Sequence, residues 1–208
     1  MNKEVAHVLR TRLASLPFAD IVAGLAQTVT SVKALGDEEN KTSITQKFPV
    51  SYDVVLAGQE CMGQECALIP DSNRKSIIYF EDFGVTLNER HNNMNHYTSR
   101  LRLICWMNRA NLVSGGIYTE VSGPAMNACI NAVQGTGGIS SGMITALITQ
   151  VTNIPAQDPA LFGRYSYDEN TRQYLRPPFE FFGLDLTCKF RVSDKCLEQI
   201  DWSGSSCF

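Results

Sequence analysis

Two short pairs, Cys61-x4-Cys66 and His91-x4-His96, are the residues of this chain with the clearest metal-ligand spacing. Two thiolates and two imidazoles can supply the four tetrahedral ligands that zinc takes. The gap between the pairs is wider than in a small finger, and a chain of 208 residues can bury a core without a metal staple. Ordinary thiols and imidazoles in polar loops are therefore the competing reading, and the expectation is that no metal is bound. Gly138-Ile139-Ser140-Ser141-Gly142 matches the letters of a nucleophile elbow. That elbow needs a strand before the Ser, a helix after it and a His later in the chain to serve as base. Here His7, His91 and His96 all precede Ser140, and a helical pattern stands before the loop, so the match is read as accidental. The same run lacks the Gly-Lys-Ser/Thr ending of a phosphate loop and the spacing of a dinucleotide fingerprint. Glu81, Asp82 and Glu89 could pose as an acid/base set. In a regular strand Glu81 and Asp82 point to opposite sides and cannot converge on one atom; a solvated strand end accounts for them. Trp106 and the Phe179/Phe181/Phe182 cluster read as core or interface, since no basic stripe adjoins them to make a stacking platform for bases.

These residues must be positioned by a sheet. Residues 97–107, Y-T-S-R-L-R-L-I-C-W-M, alternate so that Leu101, Leu103, Cys105 and Met107 share one face while Arg100, Arg102, Ile104 and Trp106 share the other. Toward its C-terminal end the segment is apolar on both faces, as in a central strand covered on both sides. The Arg100/Arg102 end is then expected near solvent or near an acidic partner. Residues 181–192, F-F-G-L-D-L-T-C-K-F-R-V, give a second alternating strand, with Phe182, Leu184, Leu186, Cys188, Phe190 and Val192 on one side. Residues 75–87 and 97–107 predict a long hairpin with an Asn-rich tip at 89–96. The stripe Val5, Val8, Leu9, Leu13, Leu16 predicts a helix over 3–16 that stops at Pro17, with Arg10 and Arg12 off the stripe. Thr-rich alternation over 21–33 predicts one strand. A helix is predicted to start at Ser122-Gly123-Pro124 and run to Val133, because Pro is tolerated in the first helical turn. The reading is a single α+β domain over 1–208: a mainly antiparallel sheet with an N-terminal helix and a central helix, and loops 57–74 and 155–178 as insertions.

Composition narrows the function classes. The chain is 44% hydrophobic and 19% charged, with a formal net charge of −3. An acidic balance argues against a protein whose main task is gripping nucleic-acid phosphate. No run of 18 apolar residues is present, so no membrane partner is expected. The first residues predict no secretory leader, and seven scattered cysteines predict free thiols in a reducing compartment.

The order of elements resembles that of the tail-terminator or neck-ring (head-to-tail connector) proteins of tailed bacteriophages. It runs from the helix L-R-T-R-L-A-S-L-P-F through an edge strand opening K-F-P-V-S-Y and a long hairpin to a second helix. It closes on a strand entered through R-P-P-F-E-F-F-G-L-D-L-T-C-K-F. The strand Y-x-S-x-L-R-L-I-C-W-M-N and the closing strand are similar to those of such proteins in crAss-like phages. The resemblance implies a structural virion protein with no reaction and no cofactor. It would work as a homo-oligomeric ring against neighbouring portal, neck or tail proteins, and genomic DNA would pass through the lumen without sequence-specific binding. A zinc-stabilised binding module and a small-molecule enzyme are the alternatives.

A ring subunit needs surfaces for its neighbours. The hairpin tip, the Gly/Ser run 135–142 and the loop 155–178 are the candidates. The last is longer than loops that carry no structure or role usually are. It contains Phe162, Tyr165, Tyr167 and Tyr174, and aromatics are enriched in interface cores. The expectation is that Tyr165 and Tyr167 pack against a neighbouring subunit instead of their own sheet, with Arg164 and Arg172 as rim charges.

Overall fold

The computed structural model describes residues 1–35, 42–56, 59–60, 63–113, 120–134 and 144–193; the turn 36–41, Cys61 and the run 135–142 lie outside them. In chain order the helices are α1 (Asn2–Leu13), α2 (Arg109–Leu112), α3 (Ser122–Gln134) and α4 (Glu169–Arg172). The strands are β1 (Ile21–Leu25), β2 (Gln27–Leu35), β3 (Thr42–Ser51), β4 (Val54–Leu56), β5 (Gln59–Glu60), β6 (Cys66–Ala67), β7 (Ser76–His91), β8 (Met94–Asn108), β9 (Ile144–Asn153) and β10 (Phe179–Ser193). Seven of them form one sheet in the order β5-β4-β1-β7-β8-β10-β9, and β2-β3-β6 form a second. The β1–β7 pair is parallel and the other described pairs are antiparallel. The class is α+β, as the sequence predicts.

The alternation in β8 sorts the core. Leu101, Leu103, Cys105 and Met107 meet Phe182, Leu184 and Leu186 of β10 under α1 and α3. We call this the helix side. Ile104 and Trp106 point the other way, with Ile77 and Tyr79 of β7 and Phe181 of β10, beneath Leu161, Phe162 and Tyr167 from the segment 155–178. That segment is the strap, and its side of the sheet the strap side. Each fully buried side chain of this size stabilises the fold by roughly 1.5–3 kcal/mol.

Several elements differ from the sequence reading. The stretch 21–33 is not one strand. At its break Ala26 N–H donates to Phe80 O at 2.8 Å, and the chain then leaves β7 to enter the small sheet as β2. The hairpin has no long loop, because strand pairing continues to His91 opposite Met94. Asn92 and Asn93 alone make the turn, at φ 49° and 58°. Two successive positive φ values are those of a tight two-residue turn, which Asn tolerates better than most residues. Residues 57–74 contain β5 and β6 and bury Leu68. Arg10, expected off the apolar stripe, is fully buried.

The hairpin also divides the sheet lengthwise. In β7 the first six residues are buried, whereas Asp82–Gly84 open a run of exposed positions that reaches the tip. Register shifts between Asp82 and Val85, where Gly84 takes φ +103°, a backbone conformation side chains resist.

Candidate functional site

The strap is bound to its own sheet along its length. Pro155 O accepts from Gly183 N–H at 2.7 Å, and Gln157 N–H donates to Phe181 O at 3.0 Å. A Cβ at Gly183 would meet the Leu161 side chain at 2.7 Å, so glycine permits the close approach. Asp158 caps the turn at Pro159–Phe162 by accepting from Ala160 N–H at 2.9 Å, and Asp168 caps α4 by accepting from Thr171 N–H at 2.8 Å. Ser166 exchanges backbone hydrogen bonds with Lys47 of the small sheet. Trp106 Nε1–H donates to Tyr174 O at 2.7 Å, anchoring the strap's far end on β8.

The centre of the strap sits on a carboxylate. Tyr165 O–H donates to Glu81 Oε1 at 2.5 Å, and Glu81 is only 2% exposed. Arg164 approaches the other oxygen at 3.7 Å. Among the described residues that oxygen and the buried hydroxyls of Tyr79 and Tyr167 meet no partner at full hydrogen-bond geometry. Burial pushes the Glu81 carboxyl above its ordinary value, against the opposing pull of Tyr165, Arg164 and Arg102. Burial likewise pushes the Tyr79, Tyr165 and Tyr167 phenols well up, so all three stay protonated. Glu81 is thus not a solvated strand end. Nor do Tyr165 and Tyr167 face away from their own sheet: they pack on it, because β7 offers Tyr79 and Glu81 as partners (the rings of Tyr79 and Tyr165 stand edge-on at 6.4 Å). Glu81 and Asp82 do point to opposite sides, Asp82 accepting from Asn2 on the helix side at 2.6 Å. The outer edges of Tyr165 and Tyr167 line a shallow groove of about 370 Å³ with Phe162, Arg172 and Arg176. Three of the four residues assigned to an interface therefore share one groove, while Arg164 lies on Phe83.

Beyond Phe83 none of the described residues covers the strap side of the sheet. The Phe83 ring has Arg102 at 4.9 Å and Arg164 at 5.0 Å. Arg102 holds Asp185 of β10 through two hydrogen bonds of 2.6 and 3.2 Å. Burial pushes Asp185 up, but the bonds from Arg102 and Asn153 outweigh it and hold its carboxyl below the ordinary value. The acidic partner expected at this end of β8 is thus inside the chain. Further toward the tip Arg100 stands opposite Thr187, Lys189 opposite Thr98, and Arg191 opposite His96. Arg100, Lys189 and Arg191 are exposed.

The metal candidates do not converge among the described residues. Cys66 lies in β6 of the small sheet. His91 and His96 lie at the hairpin tip on the strap side, with His96 Nδ1 3.6 Å from Glu89 Oε1. Cys61 is outside the described residues. No group of three or more His, Cys, Asp or Glu is placed to hold a metal ion among those described.

Two buried charge clusters escaped the sequence reading. Arg10 Nε lies 3.1 Å from Asp53 Oδ1, and His7 Nδ1 lies 3.1 Å from Oδ2. A Cβ at Gly24 would collide with this carboxylate. Glu180 accepts from Ser122 N–H at 2.7 Å and Val121 N–H at 3.2 Å at the start of α3, and from Arg109 Nε–H at 2.7 Å. Only the triad step from Arg10 to His7 at i−3 is local; Asp53 and Glu180 come from distant strands, so spacing carries no signal for them. The hollow beside Asp53 is about 50 Å³, too small for more than water. Both clusters tie elements together.

Fold and site together define an α+β protein with helices closing one sheet face and a strap closing half of the other. A scan against protein-family models finds no match, and a search of curated proteins finds no relative.

Proposed function

We propose that this chain is a self-associating structural subunit that works by building a ring, in the setting its element order resembles: the neck or tail of a tailed bacteriophage. The observation that carries the self-association is the end of the large sheet. Its last strand, β9, is an edge strand with no Pro and no charged residue along I-T-A-L-I-T-Q-V-T-N. Among the described residues no strand pairs with its outer side. Edge strands of monomers are commonly blunted by Lys, Pro or shortness, because open N–H and C=O groups template pairing with another chain. Bulges near Ala146 and Thr152 interrupt β9, leaving 147–151 regular. Ile148 is 66% exposed there, next to the bare half of the strap side.

In this reading the virion, neighbouring neck or tail proteins and DNA in the lumen supply the partners. The chain carries out no reaction and needs no cofactor. Ile148→Lys tests the edge. The substitution lies in solvent, so thermal unfolding should stay within about 0.5 kcal/mol of wild type. Sedimentation should show the variant's assembly weakened at least tenfold. Wild-type assembly unaffected by the lysine would remove β9 from the interface.

A further inference from the structure

We infer that residues 194–208 of this chain dock on the bare half of their own strap side, laying Glu198, Asp201 and Trp202 against the cations of β8 and β10. The inference goes beyond self-association and does not rest on it. Arg100, Lys189 and Arg191 are exposed on that face, and none makes an ion pair among the described residues. One exposed carboxylate shares the face at the hairpin tip: Glu89, with His96 Nδ1 at 3.6 Å from its Oε1. Asp185, at the base, is already taken by Arg102 and Asn153. Three cations against one carboxylate leave the face short of acid.

The acid that answers it lies outside the described residues, in two stretches. In 36–41, Asp37, Glu38 and Glu39 stand against Lys41; in 194–208, Asp194, Glu198 and Asp201 stand against Lys195. The first stretch joins β2 to β3 in the small sheet. The second continues β10 beyond Ser193, on the strand that carries Lys189 and Arg191, so it starts at the margin of the cationic face. Residues 194–208 reach up to about 50 Å when extended. The stretch of β10 from Asp185 to Ser193 is about 26 Å long. The segment is therefore long enough to turn back and run the length of the face. Its apolar residues have a place there as well. Ile148 is 66% exposed opposite Lys189, and a hollow of about 260 Å³ opens beside Glu89, His96, Ile148, Lys189 and Arg191. That is below the roughly 300–1,000 Å³ of small-molecule pockets and suits a side chain such as Trp202.

The size of the face favours a tethered occupant. Four strands at about 4.8 Å spacing and some seven residues at about 3.3 Å rise make roughly 450 Å². A second copy would need about 800 Å² per partner for a stable contact. A segment of the same chain meets the face at the high effective concentration of a short tether, so a smaller contact suffices. Nucleic acid fits less well. Three cations fall short of the roughly six to ten phosphate contacts of strong backbone binders, and guanidiniums already occupy Phe83 instead of a base.

The test reads Trp202 by acrylamide quenching, because the other tryptophan, Trp106, is fully buried. It uses the whole chain at a dilution where sedimentation shows monomer, before and after nuclease treatment. Wild type is compared with Glu198→Lys/Asp201→Lys, with Lys189→Glu/Arg191→Glu, and with all four changes together; circular dichroism verifies each fold. Trp202 should resist quenching in wild type. Each charge reversal should raise its quenching several-fold, and the full exchange should bring it back toward wild type, which a loss of local structure would not do. Carboxylate-to-amine crosslinking of mixed isotope-labelled and unlabelled chains should join Lys189 to Glu198 or Asp201 within one copy. Equal quenching in wild type and both reversals overturns the docking. Crosslinks that join labelled to unlabelled copies overturn it in favour of the segment of a second copy. Protection present only before nuclease treatment overturns it in favour of nucleic acid.

Discussion

The two faces of the large sheet carry the same alternation and end up in opposite conditions. On the helix side, α1 and α3 cover the strands from Met107 out to Val192 and Ile144, and the apolar set is continuous. On the strap side the cover supplied by the described residues stops at Phe83. Below it Ile104, Trp106 and Phe181 are as buried as anything under the helices. Above it the same face presents Arg100, Lys189 and Arg191 to solvent. On β8 and β10 one face holds the fold and the other is half fold and half surface, while in β7 the helix side is exposed too at Val85 and Leu87; the boundary on the strap side is where the candidate function begins.

The comparison requires the covered half of the strap side to be true core. Trp106→Ala should cost about 3–5 kcal/mol, and Leu103→Ala on the helix side about 2–5 kcal/mol. Trp106→Ala also leaves Tyr174 O without its donor. Urea unfolding of both variants checks this; a Trp106 loss near zero would make the strap an ornament on a helix-side core. Asp53→Ala should cost about 3–5 kcal/mol, because it leaves Arg10 buried without its carboxylate. If that variant melts with wild type, the cluster beneath α1 is not holding the helix to the sheet.

The boundary itself can be sharpened at Glu81. Its carboxyl is raised in the folded state, mainly by burial, so the fold binds a proton more tightly than the unfolded chain does. The stability this group contributes is full below the unfolded value of about 4.3 and is lost as pH rises through the raised folded value. Asp185 runs the other way: its lowered carboxyl stabilises above about 3.9 and that share is lost as pH falls. Glu81→Gln keeps an acceptor for Tyr165 and removes the charge. It should gain about 1 kcal/mol on wild type at neutral pH and little at pH near 4, read by urea unfolding at the two values. An equal difference at both would mean the buried carboxylate has no part in the pH response.

Much of the large sheet is legible in the sequence because β8 and β10 alternate without error over the residues that matter. Leu103 and Ile104 land on the faces their parity assigns, and so do Phe182 and Phe190. The break at Ala26 is not legible, since Thr-rich alternation continues across it and only the bond to Phe80 O tells two strands from one. The strap shows a deeper limit. Tyr165 and Tyr167 have the composition of an interface, but composition reports that an aromatic will be covered, not by which chain. The partner that decides it, Glu81, lies 84 residues away. Arg10 hides for the same reason, its carboxylate being on another element.

The most direct measurement is the native mass of the purified chain at low salt over a wide range of concentration. The account predicts a closed oligomer of one stoichiometry, present at the highest concentrations and dissociating to monomer on dilution. A chain that stays monomeric throughout would contradict it, and would leave the uncharged β9 edge as ordinary surface.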